Sequence, residues 1–198
     1  METEKTHTTG LFFGSFNPVH IGHLAIANYM IEFTDIHELW FVVSPHNPLK
    51  KEKGLIESSH RLTMLKIAIQ GKEKYKVSDY ELKLPRPSYT YHTLKKMTDD
   101  FPERKFILII GADNIDVFDS WKNYREIMEQ YQIYVYPRKD SKNSEFYNHR
   151  NIKEIDAPLI EISSTFIRNN MIKNKDLSFF TNPGVFQYIN SRKLYQSG

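Results

Sequence analysis

Residues 11–23 read LFFGSFNPVHIGH and determine how the rest of the chain is interpreted. The apolar run at residues 11–13 ends at Gly14, passes through Asn17-Pro18 and continues into the helical pattern of residues 24–31. That order predicts a buried strand, a tight turn and a helix. Unpaired backbone N–H groups and the positive end of the helix dipole then meet beside the carboxyl end of the strand, where phosphate binds well.

Several residues of this stretch have a predicted role at such a site. Gly14 lets a ligand approach the backbone closely, because no side chain stands in the way, and Pro18 stiffens the loop. His20 and His23 lie three residues apart, so both imidazoles face the same side of the first helical turn and offer two donors to one phosphate. Surface histidines that cap a helix are the alternative, but the surrounding glycines and proline favour the phosphate site.

The composition indicates one globular domain that acts on a small anionic molecule. The 198 residues include 27 basic and 24 acidic side chains, and the net charge of +3 is too small to predict a nucleic-acid or membrane partner. The chain has no cysteine, which excludes disulfides, thiolate zinc sites and cysteine nucleophiles. Residues 1–9 carry no secretory signal and the longest apolar run, 106–110, is too short to span a membrane, so we expect a cytoplasmic protein.

Short apolar runs alternate with amphipathic stretches, which is typical of an α/β fold with a parallel sheet. After the strand at residues 11–13, further strands are predicted at residues 39–43, 75–84, 106–110, 131–136 and 159–162. The strand at 75–84 is expected near an edge of the sheet and the strand at 106–110 at its centre. The expected architecture is Rossmann-like and doubly wound, with a mainly parallel sheet and helices on both faces.

Loops that follow predicted strands carry further candidates, because the carboxyl ends of parallel strands form the ligand-binding edge of such a sheet. Lys50 and Lys51 lie on the loop after the second strand, where a solvated surface cluster is an equal alternative. Asp113 follows the central strand, in a position suited to a ribose or a magnesium ion. Trp121 is either a core residue or a stacking platform beside the cleft.

Two further predicted helix starts offer hydroxyls and free amides, like the helix start after the first strand. Residues 88–90, Ser-Tyr-Thr, open one helix with Thr90 as its cap and form a candidate site for an acidic group. Ser163 and Ser164 open another, and Arg168 follows one turn later with a planar fork of donors suited to a polyphosphate. An ordinary capping box with an exposed arginine is the alternative there.

A third helix is expected to begin with Ser58 or Ser59 as its cap. Arg61 lies in the first turn of that helix, where its charge opposes the helix dipole, which indicates some other use. Residues 139–150 are polar and without periodicity, which predicts a loop.

Together these motifs resemble the bacterial nicotinate-nucleotide adenylyltransferases of the nucleotidyltransferase superfamily, from about Gly10 to Tyr195. The superfamily motif G-x-F-x-P-x-H-x-G-H matches residues 14–23, and Ser-Tyr-Thr, Gly-Ala-Asp-Asn at residues 111–114 and Trp121 narrow the substrate. The resemblance implies transfer of AMP from ATP to nicotinate mononucleotide, which gives deamido-NAD and pyrophosphate in NAD biosynthesis. It also implies Mg²⁺ bound with ATP, and no protein side chain is assigned to a metal.

The resemblance also implies a role for each matched residue. The ATP phosphates are held by His20, His23, Ser163, Ser164 and Arg168, with His20, His23 and Arg168 as catalytic residues and Lys50 beside them. The remaining ATP-site residues are Gly14, Ser15 and Phe16, through their backbone, and Asp113, at the ribose. Nicotinate mononucleotide is bound by Ser88, Tyr89, Thr90 and Trp121. Residues 1–198 form a single nucleotidyltransferase domain, whose C-terminal part, about 159–198, is a small helical extension that completes the ATP site.

Three features depart from the usual family pattern. Phe13 and Asn17 replace a glycine and an aspartate, the loop at residues 45–50 is shorter, and His92 replaces an aspartate. The alternative functions are an adenylyltransferase with nicotinamide mononucleotide or phosphopantetheine as the acceptor, a class I aminoacyl-tRNA synthetase, and a non-catalytic adenine-nucleotide sensor. The sequence leaves open the acid or amide preference, assembly into a homo-oligomer, and closure of the loop at 139–150 over substrate.

Overall fold

A six-stranded parallel sheet forms the centre of the protein. The computed structural model describes residues 7–45, 54–139, 141 and 144–196. The strands are β1 His7–Gly14, β2 Glu38–Val43, β3 Tyr75–Ser78, β4 Arg104–Gly111, β5 Gln132–Tyr136 and β6 Ile152–Glu154. They lie in the order β3-β2-β1-β4-β5-β6 and every neighbouring pair is parallel, which confirms the central position of β4 and the edge position of β3.

Helices connect these strands. The α-helices of the described part are α1 Ile21–Phe33, α2 Ser58–Ala68, α3 Thr90–Asp100, α4 Ala112–Ile115, α5 Tyr124–Gln130, α6 Ser164–Met171 and α7 Pro183–Ser191. Short 3₁₀ turns cover Tyr80–Lys83, Phe118–Ser120, Glu145–Asn148 and Ser178–Phe180. Within the described residues, no helix has the length and apolar character needed to cross a membrane.

The helices pack on both faces of the sheet. In β4, Ile107 and Ile109 join a buried apolar cluster that includes side chains of α1, α2, α6 and α7. Leu108 and Ile110, which alternate with them, join a second cluster with side chains of α3, α4 and α5. Because successive side chains of a strand point to opposite faces, the two clusters lie on opposite sides of the sheet. This arrangement confirms the predicted doubly wound fold.

The order of the strands creates a crevice at the centre of the sheet. The chain runs outward from β1 to β3, returns to the centre for β4 and then runs outward on the other side to β6. Open α/β sheets bind ligands at such a reversal, beside the carboxyl ends of the strands. Here those ends are Gly14 of β1 and Gly111 of β4.

Two of the predicted strands were wrong in whole or in part. Residues 159–162 form no strand, because β6 at Ile152–Glu154 already occupies the edge beside β5 and Pro158 removes a backbone donor. The predicted strand at 75–84 ends at Ser78 and turns into a 3₁₀ helix, where the Ser78 hydroxyl accepts a hydrogen bond from the Tyr80 backbone N–H.

The two predicted helix caps were wrong, whereas the cap of α6 was the alternative considered for that helix start. Ser163 caps α6 by accepting a hydrogen bond from the Phe166 backbone N–H, and the distance is 3.1 Å. Thr90 is instead the first residue of α3, and α2 begins at Ser58 with Glu57 at the cap position. Ser59 lies within α2, and its hydroxyl donates a hydrogen bond to the Glu57 carboxylate.

Candidate functional site

A cleft of about 1030 Å³ lies at the carboxyl ends of β1 and β4, a volume sufficient for two nucleotide-sized ligands. It brings together every predicted site residue that the structure describes: Gly14, Ser15, Phe16, His20, His23, Ser88, Tyr89, Thr90, Asp113, Trp121, Ser163, Ser164 and Arg168. Lys50, and Lys51 beside it, lie outside the described residues.

The two imidazole rings at the start of α1 lie against each other with their planes tilted by 33°. Their ring centroids are 3.7 Å apart, as the three-residue spacing predicts. The His20 backbone N–H donates to His23 Nδ1 at 3.3 Å, so in a neutral imidazole the ring proton of His23 is on Nε2. His23 therefore offers its Nε2–H as a hydrogen-bond donor.

Both imidazoles are neutral at pH 7. Burial, with a smaller contribution from the Arg138 charge, lowers the pKa of His20 from 6.5 to about 3. Burial, then His20 and then Arg138 lower the pKa of His23 well below its ordinary value. The pair consequently acts through hydrogen bonds from neutral rings, and the positive charge of this part of the cleft comes from the arginines.

Two glycines make room for side chains of the same loop. A Cβ atom on Gly14 would lie 2.9 Å from Cζ of Phe16, whose ring is buried beside it. The space above Gly14 is thus filled by the Phe16 ring, whereas the sequence predicted that a ligand would use it. A Cβ atom on Gly22 would lie 3.0 Å from Nδ1 of His20, so this glycine allows the His20 ring to pack where it does.

The hydrogen bonds of Arg61 explain why a positive charge lies near the start of α2, where it opposes the helix dipole. Its buried guanidinium donates to the backbone carbonyls of Ser15 at 2.7 Å, of Ser44 at 2.8 Å and of Ile56 at 3.3 Å. Ser15 follows β1 and Ser44 follows β2, so one side chain fixes the loops at the ends of two neighbouring strands.

Helix α6 docks directly on the loop that carries His20. The Arg168 guanidinium donates to the Asn17 carbonyl at 2.8 Å, and the Ser164 hydroxyl donates to the Pro18 carbonyl at 2.9 Å. Arg168 also lines the cleft, so it joins the two segments while it remains accessible to a ligand. The sequence predicted that these residues share a site but gave no sign of the contacts between them.

Arg138 is a cleft residue that sequence reasoning missed. It follows β5, and its guanidinium carbon lies 5.1 Å from the ring centroid of Tyr136. Its Nε atom lies 3.8 Å from the carboxylate of Asp113. Its charge also lowers the pKa of His20 and of His23. The available signal was its position directly after a parallel strand, the same signal that identified Asp113.

A buried carboxylate supports the Ser-Tyr-Thr segment and was also missed. Glu81 accepts a hydrogen bond from the Ser88 hydroxyl at 3.0 Å and from the Ser44 hydroxyl at 2.7 Å. Burial raises the pKa of Glu81, and the two hydroxyls act in the opposite direction. Glu81 lies in the region predicted as a strand, and nothing in that sequence pattern indicated that its carboxylate would be buried.

Aromatic rings and one lysine complete this side of the cleft. Trp121 is half-buried and its ring centroid lies 5.5 Å from that of Phe118, so it is partly core and partly cleft wall. Nζ of Lys122 lies 4.5 Å from the ring centroid of Tyr89 and also lines the cleft. His92 is exposed on α3 and is absent from the lining of the cleft.

The carboxylates of the cleft are engaged with other protein groups. In the described part, those lining it are Glu81, which accepts the two hydroxyls, and Asp113, which faces Arg138. Within the same residues, no three His, Asp or Glu side chains lie together in a group that could hold a metal ion.

Comparison with known proteins shows the family of the chain. The cytidylyltransferase-like family model matches residues 11–170. A probable nicotinate-nucleotide adenylyltransferase of Cytophaga hutchinsonii is 48% identical over 188 residues, which cover 95% of this chain and 98% of that protein. One of Flavobacterium johnsoniae is 46% identical over 189 residues, with 94% and 98% covered.

The fold also matches solved structures. The nicotinic acid mononucleotide adenylyltransferase of Plasmodium falciparum, complexed with NaAD, superposes with a TM-score of 0.80 at 23% identity over 95% of this chain and 97% of that one. That likeness concerns the fold, whereas the sequence relatives share nearly half of all residues over almost the whole chain. The chain therefore belongs to the cytidylyltransferase-like family and, within it, to the nicotinate-nucleotide adenylyltransferases.

Proposed function

We propose that this protein transfers the adenylyl group of ATP to nicotinate mononucleotide and releases deamido-NAD and pyrophosphate. The observation that carries the proposal is a single cleft in which donors from one face of the sheet meet an aromatic, hydroxyl-rich wall from the other. The donors come from the starts of α1 and α6, and the wall comes from the start of α3 and from Trp121. The relatives named above have this activity in their names.

The side formed by α1 and α6 is the proposed ATP site. His20 and His23 donate to phosphate oxygens from neutral rings, and Arg168 and Arg138 supply positive charge. Ser163 adds a hydroxyl, and Ser164, whose own hydroxyl donates to the Pro18 carbonyl, adds a free amide at the start of α6. Backbone groups of residues 14–16 line the same site and Asp113 meets the ribose. Lys50, which is outside the described residues, is assigned to ATP by the family resemblance alone.

The side formed by α3 is the proposed acceptor site. Tyr89 and Thr90 provide hydroxyls, residues 88–90 provide free amides at the start of the helix, and Trp121 provides a flat surface for the pyridine ring. The hydroxyl of Ser88 donates to Glu81 and so holds this segment in place. Lys122 places a positive charge beside the Tyr89 ring, which suits the carboxylate of nicotinate better than the neutral amide of nicotinamide.

The proposed reaction is one in-line displacement. A phosphate oxygen of the mononucleotide attacks the α-phosphorus of ATP and forms the new P–O–P bond, while the bond to the β-phosphate oxygen breaks and pyrophosphate leaves with its electrons. The attacking phosphate is already ionised, so no general base and no covalent intermediate are needed. The chain contributes by positioning the two phosphates and by stabilising the charge that develops in the transition state.

Mg²⁺ is proposed to enter with ATP. The donor set of the cleft suits the phosphates, because histidines and arginines face the ATP side. Of the carboxylates in the described lining, Glu81 accepts two hydroxyls and Asp113 is proposed for the ribose. The ion would be held by ATP phosphate oxygens, and it would neutralise their charge during transfer. Residues 1–198 are proposed to act as one domain, in which residues 159–198 complete the ATP site through α6.

The test is pyrophosphate release from ATP and Mg²⁺ with three acceptors in parallel. We expect rapid release with nicotinate mononucleotide and much slower release with nicotinamide mononucleotide or phosphopantetheine. Release with only one of the other acceptors would keep the reaction and change the substrate. ATP binding with no release for any acceptor would favour a nucleotide sensor on the same fold.

A further inference from the structure

Asn17 connects three segments that are far apart in the chain. It is 2% exposed and lies in the loop between β1 and α1. Its side-chain amide donates to the Gly54 carbonyl at 3.0 Å, and its Oδ1 accepts from the Tyr195 hydroxyl at 2.7 Å. An ionised aspartate in this position could accept from the Tyr195 hydroxyl but could not donate to the Gly54 carbonyl. The asparagine therefore matches a site that needs one donor and one acceptor.

The backbone of the same residue holds the catalytic loop to α6. The Asn17 carbonyl accepts from Arg168, and the next residue, Pro18, accepts from Ser164. His20 follows two residues later. Any shift of Asn17 consequently changes the position of a proposed phosphate-binding arginine and of the first histidine together.

Tyr195 is held in a specific position to make its contact. Its backbone φ of 59° is in the left-handed region, which a tyrosine adopts only when surrounding contacts favour it. Burial raises the pKa of its phenol, so the hydroxyl stays protonated and donates. The residue lies beyond α7, in the last described part of the chain, and it contributes no atom to the lining of the cleft.

We infer that Tyr195 is a positioning residue for ATP, which acts through Asn17 on the loop that carries His20. The inference rests on the proposed ATP site and is independent of which acceptor the protein uses. The C-terminal segment thereby affects the reaction without contact with either substrate.

The test is the Tyr195→Phe variant, which removes one hydroxyl, with Tyr188→Phe as its matched control. The Tyr188 hydroxyl of α7 lies 2.8 Å from Nδ1 of His60 of α2, so Tyr188→Phe also removes one hydroxyl contact, but one that does not involve Asn17. The dissociation constant of ATP with Mg²⁺, without acceptor, is measured by calorimetry for both variants. We expect about a two- to tenfold increase for Tyr195→Phe, the usual effect of one lost hydrogen bond, and no change for Tyr188→Phe.

A KM comparison separates positioning from general loss of stability. Tyr195→Phe should raise KM for ATP and leave KM for the mononucleotide within about twofold, although both variants lower the unfolding midpoint to a similar extent. Combined with Asn17→Ala, the Tyr195→Phe change should have no further effect on ATP binding, because its acceptor is gone. If Asn17→Ala does not fold, the single Tyr195→Phe variant still decides the question.

Equal ATP affinity in Tyr195→Phe and Tyr188→Phe would overturn the inference and leave the proposed function intact. A wild-type protein that fails to bind ATP would instead overturn the proposed function, and the inference with it.

Discussion

The two sides of the cleft are built by different means. On the α1 and α6 side, two arginines donate to backbone carbonyls of distant segments: the buried Arg61 to Ser15 and the half-buried Arg168 to Asn17. On the α3 side, half-buried aromatic rings and hydroxyls line the wall, and Glu81 is the buried anchor. The first side thus fixes the geometry for phosphate chemistry, whereas the second presents a surface whose exposed groups determine which acceptor is used.

The largest expected effect comes from breaking the phosphate side at His23. The His23→Ala variant removes one donor to charge that develops in the transition state, and such losses cost about 10²- to 10³-fold in turnover. The measurement is steady-state kcat with saturating ATP and mononucleotide. The control is His37→Ala, because His37 is exposed and directly precedes β2, at the amino ends of the strands. Near-normal kcat for His23→Ala would show that His23 is not a catalytic donor.

The buried histidines also make the phosphate side sensitive to acid. Folding lowers the pKa of His20 from its ordinary value of 6.5 to about 3. Between these two pH values the unfolded state therefore binds more protons than the folded state. Folding stability is therefore fully present above pH 6.5 and falls as the pH is lowered, by at most about 1.4 kcal/mol per pH unit for this residue. Between pH 7 and pH 5, the free energy of unfolding measured with denaturant should decrease less for His20→Asn than for the wild type. An equal decrease would mean that His20 is not buried in its neutral form.

The acceptor side should respond to the loss of its aromatic surface. Trp121→Ala is expected to raise KM for the mononucleotide about tenfold, since stacking on an aromatic side chain contributes roughly 1–3 kcal/mol per base. KM for ATP should change much less, because Trp121 belongs to the α3 side. Equal increases in the two KM values would remove Trp121 from the pyridine site.

The smallest expected effect concerns the choice between acid and amide. Lys122→Met keeps the length of the side chain and removes the charge that lies 4.5 Å from the Tyr89 ring centroid. The ratio of kcat/KM for nicotinate over nicotinamide mononucleotide should fall about fivefold, the effect of one charge at about 4 Å in a solvated site. Lys95→Met, on the exposed surface of α3, should leave the ratio unchanged. A ratio that does not respond to Lys122→Met would assign the preference to backbone donors of residues 88–90.

The sequence alone could predict local features of the cleft but not the contacts between distant residues that hold it together. Strand–loop–helix order and the spacing of His20 and His23 are local properties, so the fold and the cleft-lining residues were predictable from pattern. The contacts that fix them were not, because Arg168 and Asn17 are 151 positions apart and Tyr195 and Asn17 are 178 apart. The sequence likewise placed a strand at residues 159–162, since an apolar run carries no information about which strand already occupies the sheet edge.

The central claim, attack of the mononucleotide phosphate on the α-phosphorus of ATP, is tested most directly with an isotope label. Nicotinate mononucleotide that carries ¹⁸O in its phosphate is incubated with ATP, Mg²⁺ and the protein, and both products are analysed by mass spectrometry. We predict that deamido-NAD retains all of the label and that pyrophosphate carries none, because the bond that breaks lies between the α-phosphorus and the oxygen of the β-phosphate. Label in pyrophosphate, or no deamido-NAD at all, would contradict the account.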